Sequence, residues 1–287
     1  MIVLLLIKQL RPVQWTKNLL VFAAFIFHIP FITFSMFAKE IACFALFSLT
    51  AGCVYIFNDF IDLDLDRDDP NKRERPMASG LLPPQTALWF GAALLACALA
   101  CAFFVTPVLA AILTAYVAVN ILYSLQLKNM AIIDIFAISS GFVLRALAGG
   151  AAIGVPFTAW FLFCAMLLSL FLATGKRRYE MMQAIGHDRL HRRVLADYTP
   201  ALLDQLASVT AGLTIMSYSM FTFTSHHTRC LMFTIPLVIY GMFRYFLLIH
   251  VDGQGGNPEL HLFQDRHILI VVALFGAAVV GLLWTLG

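Results

Sequence analysis

Long apolar runs, separated by short polar segments, dominate the chain. Because a helix that crosses a bilayer needs about 20 mostly apolar residues, these runs predict nine transmembrane helices. Some joints are as short as Thr106-Pro107 and Val155-Pro156, which forces neighbouring helices to run antiparallel. The pattern predicts an all-α integral membrane bundle that forms a single domain over residues 1–287. The predicted spans are 18–37, 40–60, 84–104, 107–126, 131–153, 157–175, 201–224, 231–250 and 267–286.

The composition agrees with this pattern. The chain is 61% hydrophobic and only 12% charged, which is outside the range of soluble globular proteins. Its net charge of +3 is too small to indicate a nucleic-acid partner. The six cysteines form no CxxC pair and are expected to be small apolar residues. No small-residue cleavage signal precedes Arg11-Pro12, so we do not expect a removed signal peptide.

The distribution of charge predicts the orientation. With nine spans, the N-terminus and every second loop lie on one side, and that side holds 15 of the 19 basic residues. The opposite side has Lys39 and Arg229, while Arg145 and Arg244 fall within spans. The positive-inside rule therefore places the N-terminus and the charged loops in the cytoplasm, in a multi-pass protein of the cell (inner) membrane. Nearly all acidic residues share that side, so chemistry is expected at the cytoplasmic face. The sequence does not determine the oligomeric state, and a homo-oligomer is possible.

An aspartate-rich stretch follows the second predicted span. On a helix, Asn58, Asp62 and Asp66 stand at i, i+4 and i+8 and share one face. Like charges in this arrangement repel each other, which indicates that a cation belongs there. Mg²⁺ fits, because it takes oxygen ligands from one or two carboxylates together with phosphate oxygens. The alternative is a solvated acidic loop that pairs with the basic residues after it.

Three cations, Lys72, Arg73 and Arg75, follow within a few residues of these carboxylates. A metal-bound diphosphate needs such groups for its remaining oxygens. Ordinary positive-inside charge would also explain them.

At these residues the chain resembles the UbiA superfamily of intramembrane transferases. The family's NDxxDxxxD signature is present as Asn58-Asp59, Asp62 and Asp66. Further blocks, in order along nearly the whole chain, resemble one branch, the polyprenyl-phosphate (decaprenyl-phosphate) phosphoribosyltransferases. These blocks are Arg11-Pro12-x-Gln14-Trp15-x-Lys17-Asn18, Tyr123-Ser124-x3-Lys128-x5-Asp134, Gly141-Phe142-x2-Arg145-Ala146-x-Ala148-Gly149, Thr174-Gly175-Lys176-Arg177-Arg178-x-Glu180, and Arg244-Tyr245 with Asp265.

The resemblance implies a UbiA-like bundle that transfers 5-phosphoribose from 5-phosphoribosyl-1-diphosphate (PRPP) to a polyprenyl phosphate in the membrane. It implies Mg²⁺ as cofactor, held by Asn58, Asp62 and Asp66, with Lys17 on a phosphate as a further catalytic group. The substrate-binding residues it implies are Lys17, Asn18, Lys72, Arg73, Arg75, Tyr123, Lys128, Asp134, Arg145, Lys176 and Arg177.

Two departures from the family pattern bear on the substrate. Asp69-Pro70 stands where the first motif often continues with His-Pro, and a lone Asp134 stands where prenyl-diphosphate-using members usually carry paired acids. The lone Asp134 favours the phosphoribosyl branch over prenyl transfer to an aromatic acceptor, which remains the alternative. A multispan transporter of a phosphorylated lipid would also explain the hydrophobicity and basic loops, but not carboxylates that share one face.

Several of these residues have a plain structural interpretation as well. Arg11, Gln14 and Asn18 share a helical face that either faces the aspartates or begins an interfacial helix. Arg145 either binds a phosphate or pairs within the bundle. The run 176–178 either recognises phosphate or caps a helix C-terminus, where cations are favoured. His187 and His191 lack a third zinc ligand, and 189–193 is expected to be a basic surface helix.

Overall fold

The structure is a computed structural model that describes residues 2–29, 31–70, 72–184, 193–224, 229–251 and 264–286. The described residues form α-helices and short 3₁₀ helices and contain no β-strand. His187, His191, Arg189 and Arg192 lie outside them. The α-helices are α1 (Ile2–Gln9), α2 (Ala23–Phe27), α3 (Phe34–Ile61), α4 (Leu63–Asp68), α5 (Pro84–Val105), α6 (Pro107–Leu125), α7 (Ile133–Ile153), α8 (Ala159–Ala184), α9 (Pro200–Thr224), α10 (Ile235–His250) and α11 (Arg266–Leu286).

Eight helices of the described chain are long and apolar enough to cross a membrane, which confirms the prediction of an all-α, multi-pass membrane protein. Helix starts follow the local signals. Thr106 caps α6, accepting a hydrogen bond from the Leu109 backbone nitrogen at 3.0 Å, and Pro107 takes the first helical position. Thr33 caps α3 in the same way through the backbone nitrogen of Met36 at 3.2 Å.

The first predicted span, 18–37, is not one α-helix. It is covered by a 3₁₀ helix, Pro12–Phe22, then by α2 and the start of α3. Arg11 adopts a left-handed conformation (φ 53°) just before Pro12, which fixes where this segment begins. At about 2.0 Å per 3₁₀ residue and 1.5 Å per α residue, Pro12–Phe22 and α2 together rise about 30 Å. This equals the thickness of a hydrocarbon core, so a ninth crossing stays a prediction.

Two compact units divide the chain, and α7 contributes its first half to one and its second half to the other. Unit 1 comprises Met1–Phe25, Thr33–Leu127 and Leu144–Pro156. A core cluster in this unit packs α1, α3 and α5 around Leu10, Ile56, Met77 and Leu82, each at most 5% exposed. This cluster fixes the C-terminal end of α3, where the aspartate-rich stretch begins.

Unit 2 comprises Ile26–Ile32, Lys128–Val143 and Phe157–Gly287. Its largest core cluster joins α8, α9, α10 and α11 around Phe171, whose ring packs edge-on against Tyr245. A smaller cluster of Val194, Tyr198 and Leu203 packs against Ala131 and Met181. That second cluster holds the short segment before α7, in which Asp134 is the second residue of the helix.

Candidate active site

The aspartate-rich stretch keeps its four-residue register across the end of α3. Asp62 interrupts the helix (φ −93°, ψ 13°), and α4 begins at the next residue. The backbone nitrogen of Asp62 still donates to the Asn58 carbonyl at 3.0 Å, and that of Asp66 to the Asp62 carbonyl at 2.8 Å. Asn58, Asp62 and Asp66 therefore follow one another at successive helical turns, as their spacing predicts.

Two cations that follow the aspartate-rich stretch, Lys72 and Arg75, contact its carboxylates. Arg75 donates to Asp66 and to Asp59, the latter at 3.0 Å, so one guanidinium bridges two buried carboxylates. Lys72 lies 3.6 Å from Asp66 and 3.2 Å from Asp69. Burial raises the pKa of Asp66, although the adjacent Arg75 acts in the opposite direction. Carboxylates of the type that ligate metals therefore lie beside cations of the type that bind anions.

Asp59 is the anchor of this arrangement. Besides Arg75, its carboxylate accepts hydrogen bonds from Arg11 and from the amide of Gln9, at 2.6 Å in the latter case. Asp59 is 3% exposed and Gln9 is 1% exposed. The guanidinium of Arg11 also lies over the ring of Tyr55, 5.2 Å from its centroid. Asp59 therefore fixes two cations at the edge of the site.

A second polar layer of unit 1 lies within the membrane-spanning part. Arg145, in α7, is 5% exposed and donates to Asn18 Oδ1 at 2.7 Å and to the Tyr116 hydroxyl at 3.1 Å. Asn18 in turn donates to Ser48 of α3 at 3.0 Å. The rings of Phe47 and Tyr116 flank the guanidinium at 5.3 and 5.1 Å from its carbon. Acceptor oxygens and aromatic faces thereby stabilise the charge of Arg145.

Unit 2 contains a separate buried network around Asp134, which is 0% exposed. Arg177 Nε donates to Asp134 Oδ2 at 2.5 Å, and its Nη1 donates to Glu180 at 2.6 Å. The Tyr198 hydroxyl donates to Asp134 Oδ1 at 2.7 Å and accepts from the backbone nitrogen of Ile132, also at 2.7 Å. Burial and the neighbouring Asp134 raise the pKa of Tyr198. Both oxygens of Asp134 are therefore engaged by this unit's own side chains.

The predicted site residues fall into two sets. Within unit 1, Asp66 contacts Lys72 and Arg75, and Asn18 contacts Arg145, whereas the Asn58 side chain bonds Ser124. Lys17, Asp62 and Tyr123 are half-buried in the same unit, and Arg73 is exposed. Unit 2 holds the remaining four, of which Arg177 and Asp134 are in contact and Lys128 and Lys176 are half-buried.

Sequence reasoning missed the partners that hold these residues. Ser124 donates to the Asn58 side chain, which orients its oxygen. Gln9, Tyr116 and Tyr198 complete the three networks, and none of them stands out by spacing along the chain. Ser124 alone had a signal, because it lies in the Tyr123-Ser124 block that resembles the family pattern.

The donor set fits Mg²⁺. In the described part of the chain, no group of three His, Cys, Asp or Glu side chains is arranged to hold a metal alone. Mg²⁺ does not need such a cage, because it binds through one or two carboxylates with phosphate oxygens and water. Asp62, Asp66 and the amide oxygen of Asn58 supply hard oxygen donors of this type, on consecutive turns.

The sequence matches the UbiA prenyltransferase family over residues 19–263. Among its relatives, the decaprenyl-phosphate phosphoribosyltransferase of Corynebacterium glutamicum is 36% identical over 284 residues, covering 94% of this chain and 83% of the relative. The enzyme of the same name from Mycobacterium tuberculosis (strain CDC 1551) is 32% identical over 280 residues, covering 96% of this chain and 92% of the relative.

Solved structures agree with the fold. A UbiA homolog from Archaeoglobus fulgidus, bound to DMAPP and Mg²⁺, superimposes with a TM-score of 0.75 at 19% identity, covering 97% of this chain and 98% of that one. A digeranylgeranylglyceryl phosphate synthase superimposes with a TM-score of 0.71 at 18% identity, covering 97% of each chain. The UbiA-like helical fold that the resemblance implied is therefore confirmed, without the count of nine membrane spans. The chain belongs to the UbiA prenyltransferase family.

Proposed function

We propose that the protein transfers the 5-phosphoribosyl group of PRPP to a polyprenyl phosphate of the decaprenyl-phosphate type, releasing diphosphate. The observation that carries this proposal is the similarity to decaprenyl-phosphate phosphoribosyltransferases over 94–96% of the chain. The geometry supports it, since buried carboxylates and cations stand together at the end of a membrane-spanning helix. The excess of basic residues on this side supports a location of this end in the cytoplasm, at the inner membrane.

Two substrates of opposite solubility suit this location. PRPP is a soluble polyanion and would enter from the cytoplasm, where the basic loops lie. The polyprenyl phosphate would enter sideways from the bilayer with only its phosphate at the interface. The bond between the anomeric carbon and the diphosphate oxygen breaks, and a bond from that carbon to an oxygen of the lipid phosphate forms. The nucleophile is already anionic, so no strong general base is required.

The roles of the residues follow from their charge and contacts. Asn58, Asp62 and Asp66 would hold Mg²⁺, which when bound neutralises charge on the departing diphosphate. Lys17, Lys72 and the exposed Arg73 would bind anionic oxygens of the donor.

Arg75 would also bind the diphosphate, and its position is set by Asp59. Positioning of the two substrates supplies much of the remaining rate, because the reacting carbon gains oxocarbenium character without covalent help from the protein. The proposal also assigns substrate binding to Asn18, Tyr123, Lys128, Asp134, Arg145, Lys176 and Arg177.

The test uses membranes that contain the protein, Mg²⁺, polyprenyl phosphate and radiolabelled PRPP. Label should enter the lipid fraction, and Asp62→Ala should reduce this transfer by at least about a hundred-fold, the range seen when a transition-state charge stabiliser is removed. Asp64→Asn serves as the matched control, because the Asp64 side chain is 95% exposed. Full turnover by Asp62→Ala would overturn the metal-site assignment.

The same preparation separates the alternatives. Prenylation of an aromatic acceptor such as 4-hydroxybenzoate from polyprenyl diphosphate, without phosphoribose transfer, would replace the proposed reaction by prenyl transfer. Flux of the phosphorylated lipid across vesicles without bond cleavage would identify a transporter.

A further inference from the structure

One acidic residue lies outside every network described so far. Glu40, in the second turn of α3, is 0% exposed within a predicted membrane span. Neither carboxyl oxygen has a hydrogen-bond partner among the described residues. Ionisable groups inside membrane spans are costly to bury and usually functional.

The surroundings of Glu40 are close-packed. A Cβ placed on Gly149 of α7 would lie 1.9 Å from the backbone carbonyl oxygen of Val21 and 2.8 Å from Glu40 Oε1. The Val21 carbonyl oxygen and Glu40 Oε1 therefore both lie against a position of α7 at which a Cβ would clash. Val21 and Cys43 beside them are 0% exposed.

Burial decides the charge state of Glu40. An isolated carboxylate in an apolar environment, with no cation in contact, is strongly disfavoured, and such a group takes up a proton instead. The neutral acid has one O–H donor. The carbonyl oxygen of Val21 has two lone pairs and can accept a hydrogen bond from this O–H even when it also accepts one from the backbone.

Val21 belongs to the segment Pro12–Phe22, which also carries Lys17 and Asn18. One turn earlier, Asn18 bonds Ser48 of α3 and Arg145 of α7. Arg145 and Gly149 are one turn apart on α7, so α3 and α7 both contact the segment Pro12–Phe22 at two successive levels. At the first level they bond the Asn18 side chain. At the second level, Glu40 of α3 would bond the Val21 backbone next to Gly149.

We propose that Glu40 is a positioning residue that, as the un-ionised acid, donates a hydrogen bond to the Val21 carbonyl and holds Pro12–Phe22 against α3 and α7. Its effect on catalysis, through Lys17, rests on the proposed function. The hydrogen bond itself does not.

The test compares Glu40→Gln with Glu40→Leu in the full-length protein. Glutamine keeps the shape and offers an N–H donor, whereas leucine fills a similar volume without one. Hydrogen–deuterium exchange is measured on the peptide that covers residues 12–24. Glu40→Leu should exchange between about two- and ten-fold faster there, as expected for loss of one buried hydrogen bond. Glu40→Gln should match the wild type.

A second pair of variants covers the case in which Glu40→Leu fails to fold. Gly149→Ala should speed exchange in the same peptide, because its Cβ meets a backbone carbonyl that cannot move aside. Gly212→Ala in α9 is the matched control, since a Cβ there has no atom within 4 Å. Unchanged exchange in a folded Glu40→Leu overturns the proposal, and where that variant does not fold, unchanged exchange in Gly149→Ala does so. So does a Glu40→Gln protein as perturbed as Glu40→Leu, because an ionised carboxylate would then be needed.

The kinetic consequence is measured on the same proteins. With wild-type phosphoribose transfer established, Glu40→Leu should raise the KM for PRPP several-fold, and Glu40→Gln should restore it. An unchanged KM in Glu40→Leu removes the link to Lys17. Absence of transfer by the wild type counts against the proposed function alone, because the exchange measurement still decides the hydrogen bond.

Discussion

Removing Arg177 tests whether the network around Asp134 is mainly structural. The two side chains are 1% and 0% exposed and lie 2.5 Å apart. Arg177→Met would remove the ion pair of the buried Asp134 carboxylate and leave the Tyr198 hydroxyl as its partner among the described residues. Truncating one member of a buried ion pair costs about 3–5 kcal/mol. We expect a loss of unfolding free energy of that size.

The neighbouring arginine provides an internal control. Arg178 pairs with Asp204 at 2.5 Å, but the Asp204 side chain is 38% exposed. Pairs of this kind contribute about 0–1 kcal/mol, so Arg178→Met should destabilise far less. Equilibrium unfolding in detergent micelles measures both. If the two variants lose the same free energy within about 0.5 kcal/mol, the reasoning from burial is refuted.

A double variant separates stability from substrate binding. Asp134→Asn combined with Arg177→Met removes both charges, so much of the lost unfolding free energy should return. If the pair also contacts substrate, the KM for PRPP or for the lipid will stay raised in the double variant although the fold is restored. A normal KM would restrict Asp134 and Arg177 to holding the segment before α7.

Three further predictions concern the metal, pH and one turn. Chelation of divalent ions should abolish transfer and Mg²⁺ should restore it; activity that survives chelation contradicts the metal assignment. Because burial raises the pKa of Asp66, protons compete with Mg²⁺ there at a higher pH than at an exposed carboxyl. The apparent Mg²⁺ affinity should therefore fall from neutral to mildly acid pH, with the same curve in Asp64→Asn; a flat profile contradicts this. Gly154 has φ 74°, so Gly154→Ala should cost about 1–2 kcal/mol of unfolding free energy, whereas Gly276→Ala should cost nothing; equal effects contradict the backbone argument.

Local spacing predicted most of the fold. Apolar runs of helical length located the long helices, and Pro107 marked the start of α6 as expected. The first predicted span is not a single α-helix, and its hydrophobicity could not show this, because an apolar run indicates the length of a segment and not its helix type. The 3₁₀ helix Pro12–Phe22, which covers the start of this span, carries Gln14, Lys17 and Asn18, and Asn18 bonds other helices. No periodicity in a single sequence distinguishes that winding from an α-helix.

The same distinction between local spacing and tertiary packing applies to the candidate site. Residues on one helix, such as Asn58, Asp62 and Asp66, follow from their spacing. Partners on different helices do not, because they depend on which helices meet. Asp134 and Tyr198 are 64 residues apart, and Asn18 and Arg145 are 127 apart. Such pairs report tertiary packing, which a spacing rule cannot express.

Two of the buried ionisable groups of unit 1, Glu40 and Arg145, meet the cost of burial in different ways, and this difference can be measured. Glu40 can lose its charge by taking up a proton, whereas Arg145 remains charged in proteins and depends on the acceptor oxygens and aromatic rings around it. Asn18→Leu removes one acceptor of Arg145 and leaves a buried cation less stabilised, so it should destabilise the protein more than Glu40→Leu does. Removing an acceptor from a buried charge costs about 1–3 kcal/mol or more, against about 1 kcal/mol for a neutral hydrogen bond. Unfolding titrations of both variants measure the order, and a larger loss in Glu40→Leu would contradict this reasoning.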